Sequence, residues 1–276
     1  MNNIEVSHLH SIIKKIIEEK IVKVNKRKEV LPKEQLLIKI NSLDYQHRNF
    51  RNAIVKKQDK ISLIAECKKA TPIKGVIREN YDVVSIVKDY YESRIVDAIS
   101  ILTEERYFYG DVYHLVIARQ TVPLPLLRKD FIIDEYQIYE SLYYGADAVL
   151  LISSILSQEQ LKQFYNIAKS LSLEVIFEVH TKDDLDKVLN CEPEIVGINN
   201  RNLTNFVVDI YTVEKLIKFI PKGVTIIAES GISSYNDIKY FTELGVDAVL
   251  VGTYFMSFSD IKQAVRTLMG KQVWQK

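Results

Sequence analysis

An acid and a base lie two residues apart at the end of a short apolar run, within the stretch Ile61–Gly75. The run leads into Glu66 and Lys68, and a loop with proline and glycine follows. A short apolar segment bounded in this way is typical of a buried strand. Because strand side chains alternate between faces, Glu66 and Lys68 point to one face and Cys67 to the other. Two charges on a buried face are costly unless they are paired or used, so the stretch predicts a structural ion pair or part of an active site.

Further ionisable side chains follow other apolar runs along the chain. They are Lys129, Glu178 and Glu229, together with the amide of Asn199. With Glu66 and Lys68 they would form a site for a small, polar, anionic ligand, provided that the fold brings the ends of these runs together.

Two glycine corners follow the last two apolar runs, in a chain that has only nine glycines. Ser230–Gly231 and Gly252–Thr253 each place a glycine beside a hydroxyl group. Glycine lets the backbone approach an anion closely, and N–H groups at a helix start bind phosphate. An ordinary tight turn explains one such corner, but two at neighbouring strands favour a phosphate site.

Other chemically capable residues have simpler interpretations. Cys67 is expected to be a core thiol, since no base lies beside it. His180 is expected to cap the next helix or to lie at the rim of the site. Phe108 and Phe131 could pack the loops or flank a planar ligand ring.

The elements that must position these residues repeat along the chain. Asp-Ala pairs recur at 97–98, 147–148 and 247–248, each inside an apolar run. A strand is predicted about every 25 residues, in these eight segments: 61–65, 96–102, 124–127, 146–152, 173–178, 195–199, 224–229 and 246–252. Helices are predicted between them, in these eight segments: 83–93, 111–119, 134–144, 157–171, 181–190, 212–220, 233–244 and 259–269.

Strict alternation of strands and helices predicts parallel strands with right-handed crossovers. Eight regular units favour a closed (β/α)8 barrel (TIM barrel), whose chemistry lies at the C-terminal ends of the strands. A doubly wound open sheet is the alternative, but its Gly-x-Gly-x-x-Gly turn is missing.

The first 60 residues have a different pattern and predict a helical extension. Apolar residues recur at helical spacing from Leu9 to Val24, and further helices are expected over 33–42 and 50–57. The basic run Lys23–Lys28 is expected to be a solvated face. We therefore predict an N-terminal helical extension, 1–60, packed on a catalytic barrel, 61–276, as a single domain overall.

Composition excludes several classes of function. Of the 276 residues 47% are hydrophobic, which is enough for a sizeable core, and no run of about eighteen apolar residues occurs, so no membrane span is expected. The net charge is +1, so no general attraction to nucleic acid is expected. The two cysteines are far apart, and no metal-ligand spacing occurs among the histidines, so no metal site is expected.

The segment Met1–Val6 lacks the pattern of a secretory signal, and we expect a cytoplasmic protein. We expect a small-molecule partner, no cofactor, and a monomer or weak homodimer.

Six motifs in order resemble the indole-3-glycerol phosphate synthase family, over about Ile61–Met269 and more weakly over 47–53. The motifs are Ala65–Gly75, Leu102–Glu105 with Tyr107–Gly110, Leu127–Ile132, Glu178–Val179, Gly197–Leu203 and Ala228–Ser233. The resemblance implies closure of the indole ring of 1-(2-carboxyphenylamino)-1-deoxyribulose 5-phosphate, with release of carbon dioxide and water.

The resemblance also implies residue roles. Lys129 occupies the position of the general acid, Lys68 that of the lysine that holds the substrate carboxylate, and Glu178 that of a second acid–base residue. Glu66 would stabilise a cationic intermediate or take a proton. Asn199 and Glu229 would orient the substrate, and Arg201 would hold its loop in place. The phosphate cradle would comprise Thr71, Ser230, Gly231, Gly252 and Thr253.

Two positions depart from the family pattern, which usually has serine at both. Thr71 keeps a hydroxyl group, whereas Ile73 does not.

Three other functions remain open on the sequence. An Amadori-type isomerase would use a cysteine or aspartate with an aspartate, and Cys67 next to Glu66 keeps this reading open. A Schiff-base aldolase is disfavoured, because carboxylates beside Lys68 and Lys129 would keep these amines protonated. A phosphate-binding scaffold without activity would not need all six ionisable or amide groups.

Overall fold

A computed structural model of the chain describes residues 8–56 and 60–270. Its elements are, in chain order, α1 (Ser11–Val30), α2 (Lys33–Asn41), α3 (Phe50–Ile54), β1 (Ser62–Cys67), β2 (Ala70–Thr71), β3 (Gly75–Val76), α4 (Val83–Glu92), β4 (Ala98–Leu102), α5 (Tyr113–Thr121), β5 (Leu126–Lys129), α6 (Tyr136–Tyr143), β6 (Ala148–Ile152), α7 (Gln158–Ser170), β7 (Glu174–Val179), α8 (Lys182–Leu189), β8 (Ile195–Asn199), α9 (Thr212–Ile217), β9 (Thr225–Glu229), α10 (Tyr235–Glu243), β10 (Ala248–Val251), α11 (Thr253–Met256) and α12 (Ile261–Leu268).

Eight of the strands close into a parallel barrel. Their order around the barrel is β1-β10-β9-β8-β7-β6-β5-β4, and β4 pairs with β1 to close it. Nearly every residue of these strands is buried, because helices cover the outside and side chains fill the inside. The predicted (β/α)8 barrel is confirmed, and its strand C-termini meet at one mouth.

The repeated aspartates have a structural role at the opposite end of the barrel. A carboxylate oxygen of Asp97 accepts a hydrogen bond from the backbone N–H of Leu63 at 2.9 Å, and one of Asp147 accepts from Leu126 at 2.9 Å. Asp247 makes the same contact with β9, at 2.8 Å. Each aspartate thus satisfies an N–H at the start of a neighbouring strand, which explains why the repeat includes this residue.

The N-terminal extension contacts both ends of the barrel. At the mouth, the backbone N–H of His10 donates to the carbonyl of Leu203 at 3.0 Å. At the other end, Arg48 donates to the carbonyl of Val122, just before β5, at 2.8 Å. Phe50 in α3 is fully buried there. The described part of the extension therefore packs on the barrel.

The longest helix, α1, differs from its prediction in the placement of its charges. The basic run was predicted to be a solvated face, but Lys23, Arg27 and Lys28 each lie within 4 Å of a carboxylate on the barrel loops or α6. Lys20 is buried, whereas the apolar Ile21 is 41% exposed. None of the helices in residues 8–56 and 60–270 is both long and apolar enough to cross a membrane.

Some element boundaries also differ from those predicted. Helix α3 ends at Ile54 rather than near Lys57, which lies outside the described residues, as does the segment Met1–Val6. Three elements were not predicted: the strands β2 and β3, which form a hairpin, and the one-turn helix α11. The hairpin and the helix both lie at the mouth of the barrel, where residues of each line the cavity.

Candidate active site

A cavity of about 530 Å³ opens at the C-terminal ends of the barrel strands. Every residue assigned to the site from the sequence lines it: Glu66, Lys68, Thr71, Phe108, Lys129, Phe131, Glu178, Asn199, Arg201, Glu229, Ser230, Gly231, Gly252 and Thr253. The strand ends therefore bring together groups that are far apart in the chain, from Glu66 to Thr253.

Lys129, at the end of β5, lies between two carboxylates. Its Nζ is 2.8 Å from Oε2 of Glu178 and 3.4 Å from Oε2 of Glu229. Burial by itself would lower the pKa of Lys129, but the charges of Glu178, Glu229 and Glu66 outweigh it and raise the pKa well above its usual value. Lys129 is therefore an ammonium ion, able to donate a proton to an oxygen on which negative charge develops.

The two carboxylates beside Lys129 have opposite protonation behaviour. Burial opposes ionisation of Glu178, but Lys129 and His180 overcome it and hold the pKa of Glu178 well below its usual range. For Glu229, burial and the neighbouring Glu178 and Glu66 raise the pKa to about 7. Oε1 of Glu229 is buried and makes no hydrogen bond within the described part of the chain. Glu178 is thus ionised at neutral pH, whereas Glu229 can gain or lose a proton there.

Glu66 and Lys68 form an ion pair across the same cavity. Their side chains are 5% and 12% exposed, and Lys68 donates to Oε2 of Glu66. The strand alternation predicted from the sequence thus holds for this pair. An ammonium group near the opening is suited to hold the carboxylate of an anionic ligand.

Two glycines make room for the carboxylates. A Cβ atom on Gly252 would lie 2.3 Å from Oε2 of Glu66, and one on Gly197 would lie 2.4 Å from Oε1 of Glu229. Any larger residue would displace these side chains. Gly252 therefore has a steric reason to be glycine beyond the phosphate role inferred from the sequence, and Gly197 was not assigned any role there.

The corner after β9 has two consecutive residues with a left-handed backbone. Ser230 and Gly231 both adopt left-handed conformations, with φ of 66° and 80°. Asn200 supports the corner, because its side-chain amide donates to the carbonyl of Ser230 at 3.0 Å. Gly252 and Thr253 lie at the start of the one-turn helix α11, which follows the neighbouring strand β10. N–H groups from two adjacent corners can converge on a phosphate here.

Asn199 and Arg201 organise the loop that follows β8. The side-chain oxygen of Asn199 accepts from the backbone N–H of Arg201 at 2.9 Å, and the guanidinium of Arg201 donates to the carbonyl of Phe206 at 3.1 Å. Burial lowers the pKa of Arg201. These contacts agree with the loop-holding role expected for Arg201.

The β2–β3 hairpin forms one wall of the opening. The hydroxyl of Thr71 accepts from the backbone N–H of Lys74 at 3.1 Å and so stabilises the turn. Ile73 lies at this turn, lines the cavity and is 55% exposed. Phe108 and Phe131 line the apolar part of the cavity, where a flat ring could pack.

Several residues of the site were missed or misplaced by the sequence analysis. Ile13 of α1 and Phe206 of the β8–α9 loop line the cavity. His180 was expected to cap the next helix or to lie at the rim of the site, but Thr181 is the N-cap of α8 and His180 is buried behind Glu178. The only signal for it in the sequence was its spacing of two residues from Glu178 on one strand.

The comparisons with known proteins agree with this geometry. The family model for indole-3-glycerol phosphate synthase matches residues 13–268. The chain is 47% identical over 249 residues to the indole-3-glycerol phosphate synthase of Thermoanaerobacter pseudethanolicus, covering 90% of this chain and 94% of that protein. It is 43% identical over 258 residues to that of Campylobacter jejuni subsp. doylei, covering 94% and 100%.

Solved structures support the fold. KGPDC from Streptococcus mutans superposes with a TM-score of 0.58 at 15% identity, over 76% of this chain and 95% of that one. A mutant tryptophan synthase alpha-subunit from Pyrococcus furiosus superposes with a TM-score of 0.57 at 15% identity, over 76% and 98%. The structural likeness shows the barrel alone, whereas the family model and the relatives extend over most of the chain. With its lysines and carboxylates gathered at one barrel mouth, this chain belongs to the indole-3-glycerol phosphate synthase family.

Proposed function

We propose that the cavity at the barrel mouth carries out the reaction of the family, on 1-(2-carboxyphenylamino)-1-deoxyribulose 5-phosphate. The ring carbon that bears the carboxylate attacks the ketone carbon, carbon dioxide leaves, and water is then lost to form the indole. One observation carries the proposal: the Lys129 ammonium lies between Glu178 and Glu229, in a buried cavity that also holds the Glu66–Lys68 pair.

Ring closure needs a proton donor at the ketone oxygen. As the carbon–carbon bond forms, the π electrons of the ketone move to its oxygen, and Lys129 gives that oxygen a proton. The raised pKa of Lys129 keeps its amine charged before the reaction. An alkoxide is far more basic than a lysine amine, so the transfer is downhill once charge has developed.

Decarboxylation then restores the aromatic ring. The bond to the carboxylate breaks, its electrons return to the ring, and the positive charge on the ring and nitrogen is neutralised. Lys68 holds the carboxylate while ring closure proceeds, and Glu66 beside it stabilises the cationic intermediate. The intermediate carries both a negative carboxylate and a positive charge on the ring and nitrogen. An ion pair can stabilise both charges, whereas an unpaired lysine would stabilise only the carboxylate.

Dehydration completes the indole. The hydroxyl group formed in the first step leaves as water with a proton from an ammonium group, and a base takes a proton from the neighbouring carbon. Glu178 can accept this proton, because its low pKa keeps it ionised. Asn199 and Glu229 line the cavity next to it and orient the substrate.

The remaining residues hold the two ends of the substrate. Phe108 and Phe131 pack against its aromatic ring, and the corners at Gly231 and Gly252 hold its phosphate. Thr71 faces the same cavity and adds a hydroxyl group near the opening.

The geometry disfavours the other two enzyme classes. Cys67 is fully buried, and burial raises the pKa of its thiol well above the usual value, so it cannot serve an isomerase as a base at neutral pH. A Schiff base needs a neutral amine, whereas the raised pKa of Lys129 keeps it protonated.

Turnover of the aromatic ribulose phosphate tests the proposal directly. The purified chain should convert it to a product with indole fluorescence, with release of carbon dioxide and without an added cofactor or metal. Binding of phosphate and substrate without fluorescence growth would instead support a non-catalytic scaffold and contradict the proposal.

Because Gly231 belongs to the proposed phosphate corner, Gly231→Ala should weaken substrate binding more than it slows the chemical steps. A Cβ there would lie 2.7 Å from Val208 and would also require a side chain at φ of 80°. We expect KM to rise about tenfold with a smaller change in kcat, because the phosphate contacts hold substrate and transition state alike. Inorganic phosphate should inhibit the variant less than the wild type.

Gly223→Ala is the matched control. Gly223 has φ of 91° and open space around its Cβ position, and it precedes β9, whereas the phosphate corner follows it. It should incur a similar backbone penalty, of about 1 kcal/mol in the free energy of unfolding, with KM unchanged. Equal KM values for the two variants would show that the corner does not hold the phosphate.

The cellular setting and assembly belong to the same proposal. We infer a cytoplasmic enzyme, supported by the free cysteines Cys67 and Cys191 and by a small-molecule substrate of biosynthesis. We also infer a monomer or weak homodimer, since the described chain encloses a complete set of site residues without a second copy. Sedimentation of the pure protein measures the assembly.

A further inference from the structure

A buried histidine lies behind Glu178, outside the residues that line the cavity. His180 follows β7, and its side chain is 3% exposed. Its Nε2 is 3.1 Å from Oε1 of Glu178, in an ion-pair contact that is not aligned as a hydrogen bond. The other oxygen of Glu178, Oε2, is the one that contacts Lys129, at 2.8 Å. The two oxygens of Glu178 thus have separate partners, one on the cavity side and one behind it.

The imidazole is fixed from its far side by two residues from other elements. Nδ1 is 3.0 Å from the hydroxyl of Ser154, after β6, and 3.7 Å from Oδ2 of Asp184, in the first turn of α8. The same Oδ2 accepts from the hydroxyl of Ser154 at 3.1 Å and from the backbone N–H of His180 at 3.1 Å. Asp184 is itself anchored, because its N–H donates to the hydroxyl of the N-cap Thr181 at 3.1 Å.

We propose that His180 is a positioning residue of the reaction: held by Asp184 and Ser154, it fixes one oxygen of Glu178 so that the other faces Lys129 and the substrate. The proposal deepens the proposed function, since it rests on the role of Glu178 there. No contact between His180 and the substrate is required.

The charges around His180 support this role. Burial alone would favour the neutral imidazole, but Asp184 and Glu178 raise the pKa of His180 to about 9. Burial likewise opposes ionisation of Asp184, yet His180 lowers its pKa to about 2. Glu178 and Asp184 are the ionised groups that face the ring, and the ammonium of Lys187 on α8 donates instead to the carbonyls of Ser153 and Leu156. His180 is therefore a cation between two carboxylates at neutral pH.

The first test is a titration that needs no activity. In an NMR titration of the histidine side chains, His180 should remain charged at pH 8. His47 and His114 serve as controls in the same sample, since burial lowers the pKa of each and both should be neutral at that pH. Asp184→Asn should shift the His180 titration to lower pH. A His180 that is neutral at pH 8 would overturn the proposal, whatever the activity of the protein.

The second test measures kinetics in His180→Gln. Loss of the cation should raise the pKa of Glu178, so its carboxyl carbon should titrate at a higher pH in a ¹³C NMR titration of the variant than in one of the wild type. We expect kcat to fall roughly 10- to 100-fold with little change in KM, because Glu178 is displaced while the phosphate and ring contacts remain. Asp184→Asn should produce the same change in weaker form.

A double variant separates positioning from general structural damage. In the background of Glu178→Gln, His180→Gln should have almost no further effect on kcat, since its role acts through the carboxylate. His114→Gln is the control for loss of a partly buried histidine away from the cavity, and its kcat and pH profile should match the wild type. Additive losses in kcat, or an unchanged titration of Glu178 in folded His180→Gln, would overturn the proposal. If the wild type itself lacks activity, the proposed function fails, and the NMR titration still decides the state of His180.

Discussion

Lys129→Ala should lose turnover by roughly 10³-fold or more while still binding a substrate analogue. The side chain is the one cation among the described residues that lies within 4 Å of both Glu178 and Glu229, and it supplies the proton to the ketone oxygen in the proposed first step. Without it, the alkoxide would form in a buried cavity that presents carboxylates at this point. The phosphate corners and the aromatic walls are untouched, so an analogue that carries a phosphate and an aromatic ring should bind within about tenfold of its wild-type Kd.

The measurement is a single-turnover assay that follows indole fluorescence, beside a binding titration with the analogue. Lys182→Ala provides the control, since Lys182 pairs with Asp186 on the surface of α8 and both side chains are at least 40% exposed. That variant should behave as the wild type in both assays. Normal turnover by Lys129→Ala would show that another group is the acid, and loss of analogue binding would show that Lys129 mainly holds the ligand.

The barrel and its mouth were predictable because their signals are local and repeated. Each strand is a short apolar run with a polar ending, and each is followed by a helical segment, so the even repeat of eight units, without the glycine-rich turn of a doubly wound sheet, predicts a closed barrel. Once the fold is known, every polar strand ending must face one opening. That is why Lys129, Glu178 and Glu229 were placed together without a structure.

Features that depend on contacts between distant elements were not predictable. The sequence shows Lys20 as one of several lysines on a helix, yet it is buried because Asp130 and Glu105 lie opposite. Gly197 looks like any glycine in a strand until the side chain of Glu229, on the neighbouring strand, occupies the space of its missing Cβ. His180 likewise acquires its charge from Asp184, whose position follows from how α8 starts. Such pairings leave no periodic pattern in the sequence, because they depend on how the folded chain packs.

The buried contacts of Asp130 with residues of other elements predict a large loss of stability in Asp130→Leu. The carboxylate is fully buried next to Lys129 and lies 2.8 Å from Nζ of Lys20 and 3.0 Å from Nη2 of Arg128. It also accepts from the hydroxyl of Thr103 at 2.7 Å. Removing it leaves two buried cations with fewer counter-charges, which should reduce the free energy of unfolding by about 3–5 kcal/mol.

The pH dependence of that loss follows from the pKa of Asp130. Burial opposes ionisation, but Lys20 and Arg128 outweigh it and hold the pKa well below its usual range. A depressed pKa contributes stability that is complete above the unfolded value, about 3.9, and declines as the pH falls below it. Urea unfolding at pH 7 and at pH 3 should therefore show a smaller difference between wild type and Asp130→Leu at the lower pH.

Two further variants make the result specific to the buried network. Asp186→Leu removes an exposed ion pair on α8 and should cost about 1 kcal/mol or less. Lys20→Met combined with Asp130→Leu should be more stable than Asp130→Leu alone, since the second change removes one stranded cation. Because Lys20 belongs to α1, the Asp130→Leu variant should also exchange the backbone amides of α1 faster than the wild type. An Asp130→Leu variant no less stable than Asp186→Leu, with α1 equally protected, would mean that the buried Asp130 network does not hold the extension on the barrel.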